Sequence, residues 1–288
     1  MEVELSRVTK ECRRRVVLED INLQLNGPKL YCLYGRRGAG KTSLLELMAG
    51  QALPTVGEVK VNGHRPFDYR PVLKDICLIK EKGIFPEAFK VKDVLQTYAR
   101  FYPNWDTDFA EELLTTYHLP SHSRIKDLSF ALEALLGIVV GLASGAKLTL
   151  FDDVFSVIDS RSRKRFTDDL IDLAEKQERI ILLATDALEG IDFLFEEFFV
   201  LNEGRLVLAE NMERVREKAY AIFGPAEQVE AYMEGRVVLH TKRLSHERIA
   251  YFYDEPGDVP SNVRFDPLPL EDLFFYLTEA KEEAGCRI

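Results

Sequence analysis

Residues 35–42 read Gly35-Arg36-Arg37-Gly38-Ala39-Gly40-Lys41-Thr42, a stretch of the form G-x-x-x-x-G-K-[ST]. A short apolar run, Lys29 to Tyr34, precedes it, and an apolar-periodic run, Ser43 to Ala49, follows. The order is therefore strand, phosphate loop, helix. Glycines let the backbone fold around an anion so that successive N–H groups point at it, and the positive end of the helix dipole faces the same spot. Lys41 adds a point charge to that cradle, and Thr42 a hydroxyl ligand for Mg²⁺. Gly35 through Ser43 are thus the expected contacts of a nucleotide's phosphates.

Working outward, residues 2 to 8 and 16 to 26 alternate apolar and polar, with Val17, Ile21, Leu23 and Leu25 among the apolar members. That pattern predicts an antiparallel pair with one buried face. Strands are expected at 57–63, closed by an Asn62-Gly63 turn, and at 76–79. From about 81 to 135 helical periods take over, broken by Pro86, Pro103 and Pro120 and rich in aromatics, which reads as a helical insertion. Tyr98, Phe101 and Trp105 are expected in the insertion's own core, with Phe85 offered to a partner. A helix capped at Leu128-Ser129 leads to a buried strand, Lys147 to Phe151, which ends on Asp152-Asp153. A helix over 161–176, a strand over 180–185 ending at Asp186, and a hairpin over 197–208 complete a βαβ rhythm. The nucleotide domain is placed at 1–211. Beyond it, 212–288 predicts a small α+β accessory domain whose lone His240 and His246 have no second ligand at metal spacing.

The chain has 288 residues, 46% of them hydrophobic, and a formal net charge of −10. An acidic balance argues against broad contact with nucleic acid, which needs clustered Lys and Arg; an ATPase acting on DNA or ribosomes is disfavoured for that reason. Cys12, Cys32, Cys77 and Cys286 lack metal-ligand spacing and are expected to be reduced. No apolar run approaches the roughly 20 residues that cross a bilayer.

The order of elements resembles the ATP-binding subunit of an ABC transporter over nearly the whole chain. The segments Phe101-Tyr102-Pro103-Asn104-Trp105-Asp106 and Pro269-Leu270-Glu271-Asp272-Leu273-Phe274 resemble those of the short bacterial YtrB-like subunits. The fold so implied is α/β: a P-loop NTPase of the ABC type, with a mixed sheet, an antiparallel subdomain and a helical insertion. The resemblance also implies ATP and Mg²⁺ as cofactors, a second nucleotide-binding subunit, and transmembrane permease subunits that hold the chain on the inner face of the cell membrane. It implies a cytoplasmic, peripheral location.

Other motifs depart from the family pattern. The signature L-S-G-G-Q falls on Leu128-Ser129-Phe130-Ala131-Leu132, which keeps the Ser129 hydroxyl for the partner's ATP but loses a glycine to Ala131. The metal-binding strand ends Asp152-Asp153, so Asp152 is assigned to Mg²⁺ and Asp153 stands, one methylene short, where a glutamate would polarise water. The switch histidine falls on Asp186. The glutamine that contacts Mg²⁺ and water falls on Glu81 or, one residue off, on Lys80 or Lys82. The adenine-stacking aromatic falls on Cys12, and the dimer-interface aspartate on Asp159. The expected function is an ATP-binding subunit that couples dimer closure and hydrolysis to transport. Its own site is expected to be slow, with catalytic assignments on Asp153, Asp186 and Glu81, beside a heterodimeric partner whose motifs are intact. The alternative is a regulatory nucleotide-binding module that does not hydrolyse ATP.

Overall fold

The computed structural model describes residues 1–176, 179–188 and 190–279, and it divides into two compact units, the first Met1–Ala209 and the second beginning at Glu210. In the first unit, β1 (Glu2–Cys12), β2 (Arg15–Asn26) and β4 (Val56–Val61) form an antiparallel sheet in the order β2-β1-β4. Its register aligns Val3 with Leu25 and Val61, and Leu5 with Leu23 and Val59, so the alternating apolar residues of all three strands share one face. A one-residue slip would turn that face to water.

A six-stranded sheet follows the order β5-β6-β7-β3-β8-β9. Its members are β3 (Leu30–Tyr34), β5 (Ile76–Lys80), β6 (Leu148–Asp152), β7 (Ile180–Thr185), β8 (Glu197–Asn202) and β9 (Arg205–Asn211). From β5 through β8 the neighbours run parallel. β6 and β7 are buried along their whole length, which is why they read as unbroken apolar runs rather than alternating ones. The register pairs Lys80 with Asp152, Asp152 with Ala184, and Tyr34 with Thr185. Every motif that ends a strand therefore arrives at the same carboxyl edge of the sheet, where ligands of open α/β sheets are met.

Helices flank this sheet: α1 (Lys41–Met48), the single-turn α2 (Arg70–Leu73), α3 (Val91–Phe101), α4 (Thr107–Thr116), α5 (Phe130–Ala143), the short α6 (Val154–Val157) and α7 (Ser160–Lys176). α5 is buried from Ala134 through Ala143. It comes close to the sheet because Gly137 and Gly141 face Ile79 and Phe151: a Cβ on Gly141 would lie 2.5 Å from Phe151 Cε1. No helix among the described residues is long and apolar enough to cross a membrane.

The second unit contains α8 (Met212–Lys218), β10 (Ala219–Pro225), α9 (Ala226–Met233), β11 (Val238–Leu244), β12 (Glu247–Tyr253), β13 (Arg264–Pro267) and α10 (Leu270–Glu279). Its sheet runs β11-β12-β10-β13, with Tyr220, Ile222, Val229, Tyr232, Ala250 and Phe252 in its core. The division falls at 209/210 rather than 211/212, and β10, α9 and β13 are elements that the sequence reading did not place. His240 stacks on Tyr276, ring centroids 4.6 Å apart. Cys12, Cys32 and Cys77 are free thiols, and Cys286 lies outside the described residues.

Candidate phosphate and metal site

β3 ends at Tyr34, and the chain turns at once into the loop, where the Gly35 N–H donates to Thr185 O (3.2 Å) on the neighbouring β7. Gly35 has no room for a side chain, since a Cβ there would lie 2.6 Å from Leu201 O. Gly38 and Gly40 sit at φ 83° and 108°, the left-handed region open to glycine, and Gly40 is the N-cap of α1. Ala39 N–H donates to Arg36 O (3.0 Å) and Gly204 N–H to Ala39 O (2.9 Å), which pins the loop from both sides. Donors of the first helical turn are left pointing outward at the dipole's positive end.

Lys41 is 4% exposed, and its Nζ donates to Gly35 O (2.6 Å) and lies 3.3 Å from Asp153 Oδ2. That ion pair spans two separate motifs and had no sign in the sequence spacing. Asp153 is held at φ 54°, ψ 17°, a conformation costly for a residue with a Cβ. Its N–H donates to Ala184 O (3.0 Å), and its own carbonyl accepts from Ser156 Oγ (2.9 Å). Its neighbour Asp152, also 4% exposed, ends β6. Burial pushes the Asp152 carboxyl up to about 6, opposed by a hydrogen bond from the Thr42 hydroxyl and reinforced by the charge of Asp153. Burial also raises Asp153; Lys41 opposes the shift, while Asp186 and Glu81 add to it. The site thus gathers Lys41, Thr42, Asp186 and Glu81 around the Asp152–Asp153 pair.

Asp152 Oδ1 and Asp153 Oδ1 are both buried without a hydrogen-bond partner. Two orphaned carboxylate oxygens beside a hydroxyl are hard donors of the kind Mg²⁺ prefers, and Mg²⁺ completes its shell with water and phosphate oxygens. Among the described residues no three His, Cys, Asp or Glu side chains are grouped so as to hold a metal ion by themselves. The residues present therefore fit a magnesium ion brought in with phosphates.

Asp186 is not simply one anion facing others, because Arg37 Nε lies 3.9 Å from its Oδ2. Lys80 is taken by Glu46 (2.6 Å), leaving Glu81, just past the end of β5, as the acidic member of that trio. Ser129 is not joined to this group; it caps α5, its Oγ accepting from Leu132 N–H (3.3 Å). The Asp159 carboxylate caps α7, accepting from Arg161 N–H, Ser162 N–H and Ser162 Oγ at 3.0, 3.0 and 2.8 Å, and the Ser162 bonds hold its pKa low. Cys12 is exposed at the end of β1. Two aromatic expectations are corrected. Phe85 is 5% exposed, its ring edge-on to Tyr98 at 5.7 Å, and so it is a core residue of the insertion. Phe101, expected in that core, is 69% exposed at the last position of α3. With Leu73, Ile84, Pro86 and Phe89 it lines an apolar groove of about 790 Å³.

The profile of the ABC transporter family matches residues 18–156, from β2 through the Asp152-Asp153 pair to α6. The ABC transporter ATP-binding protein YtrB of Bacillus subtilis is 24% identical over 75% of this chain and 74% of its own length. An uncharacterised ABC transporter ATP-binding protein of Methanocaldococcus jannaschii, MJ1023, is 25% identical over 94% of this chain and 97% of its own. Among solved structures, the dimeric MJ0796 cassette in a post-hydrolysis state with ADP and Pi superposes with a TM-score of 0.62 at 20% identity, covering 73% of this chain and 98% of that one. The loop that opened the reading is thus embedded in the matched segment, in the fold and on the strand edge it requires: the chain carries an ABC transporter ATP-binding domain.

Proposed function

We propose that the chain is the Mg·ATP-binding subunit of a bacterial ABC transporter, that it pairs with a second nucleotide-binding subunit, and that it hydrolyses ATP slowly in its own site. The observation that carries this reading is a complete phosphate cradle beside two orphaned carboxylates, set against altered residues where water must be activated. Bound Mg·ATP supplies the phosphoanhydride to be cleaved and the metal's charge. Lys41 and the N–H groups of Gly38 and of Gly40 to Ser43 bind the phosphates, while Ser129 is offered to the partner's nucleotide. Thr42 and Asp152 would hold the metal, with Glu81 as the further candidate ligand. Asp153 takes the proton of the attacking water from a carboxylate set back by one methylene. A displacement of about 1 Å costs on the order of 100-fold, or ~2.7 kcal/mol. Asp186 offers no donor to the γ-phosphate, a loss of similar order.

ABC domains of this kind work in pairs with membrane permeases, and the groove containing Phe89 and Phe101 is the face we assign to the permease. The chain would then lie on the cytoplasmic side of the membrane. The assignment of a partner with intact motifs, a heterodimer, follows from the same weakened residues.

The test is steady-state phosphate release by the purified chain, by Asp153→Glu, and by Asp153→Glu with Asp186→His. The wild type is expected to be near background, and the double variant to gain at least ~10-fold. Turnover by the wild type at the rate of an ordinary ABC ATPase would refute the slow site. Binding of Mg·ATP with no gain in the double variant would favour a regulatory module that never hydrolyses.

A further inference from the structure

We propose that Asp153 makes the phosphate cradle selective for nucleotides that arrive with a divalent cation, by holding Lys41 until that cation is present. The inference rests on the nucleotide-binding reading above and assigns Asp153 a role in binding that is separate from hydrolysis.

Lys41 is the cation on which phosphate binding depends, yet it is already neutralised inside the protein. It is 4% exposed, fixed at one side by Gly35 O at 2.6 Å and at the other by Asp153 Oδ2 at 3.3 Å. The Asp153 backbone is tied at both ends, N–H to Ala184 O and carbonyl to Ser156 Oγ, in a left-handed conformation, so its Cβ is held in place beside Lys41. Around this pair the charge is negative: Asp152, Asp186 and Glu81 all act on it or beside it. Of the nearby cations, Lys80 is held by Glu46 at 2.6 Å, and Arg37 reaches Asp186 only at 3.9 Å.

An anion entering alone must take Lys41 from Asp153. That leaves Asp153 and Asp152 as adjacent, partly buried carboxylates, unpaired and facing a phosphate, and breaking a buried pair in this way is strongly unfavourable. An anion that brings a divalent cation meets a different site. The orphaned Asp152 Oδ1 and Asp153 Oδ1 gain a partner, and the charge that held Lys41 is compensated as Lys41 is released. Cation and phosphate therefore enter as one unit, with Asp153 as the coupling residue.

Titration calorimetry on the full chain reads this directly, with ATP in excess MgCl₂ and with ATP in EDTA. In the wild type, affinity in EDTA is expected to be at least ~30-fold weaker than in MgCl₂. Asp153→Asn and Asp153→Ala, each checked for folding by circular dichroism, should bind ATP in EDTA ~10-fold more tightly than the wild type, so that the ratio collapses. Asp153→Glu, which keeps the charge, should retain a large ratio. Should Mg·ATP bind to the wild type while the ratio stays the same in the Asn and Ala variants, the coupling role is overturned and the binding function stands. Should the wild type bind neither form, the binding function itself falls, and this inference with it.

Discussion

Asp169 is 3% exposed on α7, where it accepts a hydrogen bond from Tyr117 Oη (3.1 Å) and lies 2.9 Å from Arg165 Nε. The Arg165 contact lacks hydrogen-bond geometry, since that Nε is itself without a hydrogen-bond partner, and burial outweighs the charge: the carboxyl is pushed up to about 6 from 3.8. Between those two values the folded chain holds a proton that the unfolded chain has released. Stability from this group is therefore fully present below about pH 4 and is lost as pH rises through 6, a change on the order of 2–3 kcal/mol. Urea unfolding should show the wild type more stable at pH 5 than at pH 7.5, and Asp169→Asn should flatten that difference by about 1–1.5 kcal/mol, the part of the change that falls between those two pH values; equal slopes for both would refute the assignment. The same scale shows what sequence could and could not reveal about the site. Lys41 and Thr42 are singled out in the sequence because phosphate chemistry imposes the loop pattern that holds them, and Asp152 through the family resemblance. The Lys41–Asp153 pair is not, because it depends on β6 and β3 ending at one edge with β7 between them.

Among the elements, α5 packs most closely on the sheet, and Gly137 and Gly141 are the reason. A Cβ at Gly141 would meet Phe151 ring atoms at 2.5 and 2.7 Å and Ile79 at 3.1 Å, and one at Gly137 would meet Ile79 Cγ2 at 2.7 Å. Gly141→Ala gains about 1 kcal/mol of helix propensity but overpacks a core at a cost of ~1–3 kcal/mol, plus the shift of an aromatic ring. Denaturant unfolding should therefore show a net loss; a gain in stability would mean the helix can move away from the sheet. Elements with strong periodicity were legible in advance: β6, β7 and α7 fall where apolar runs and helical repeats put them. β10 was missed because its run Ala219 to Pro225 ends in Gly224-Pro225, which reads as a break, whereas in the structure Gly224 packs on Val263 and Pro225 caps α9. Phe101 was misplaced because composition marks an aromatic-rich segment without saying which side of a helix end faces out.

For the molecule as a whole, the groove of Leu73, Ile84, Pro86, Phe89 and Phe101 is apolar surface on a chain whose net charge is −10. Exposed apolar surface of this kind marks a contact site. Phe101→Asp is expected to leave ATP binding unchanged and to abolish co-purification with permease subunits from detergent-solubilised membranes; undiminished recovery would remove the groove from the interface. The second unit presents a charged sheet edge. β11 is an edge strand, and its Lys242 and Arg243 face outward, with Arg243 directly opposite Arg248 on β12. Two copies joining edge to edge along β11 would bring two sets of Lys242 and Arg243 together, whereas Arg248 on the inner strand is held by Glu230 at 3.0 Å. The hairpin is thus a guard against fibril-like stacking, and concentrated stocks of the chain should stay monodisperse until salt high enough to screen those charges is added.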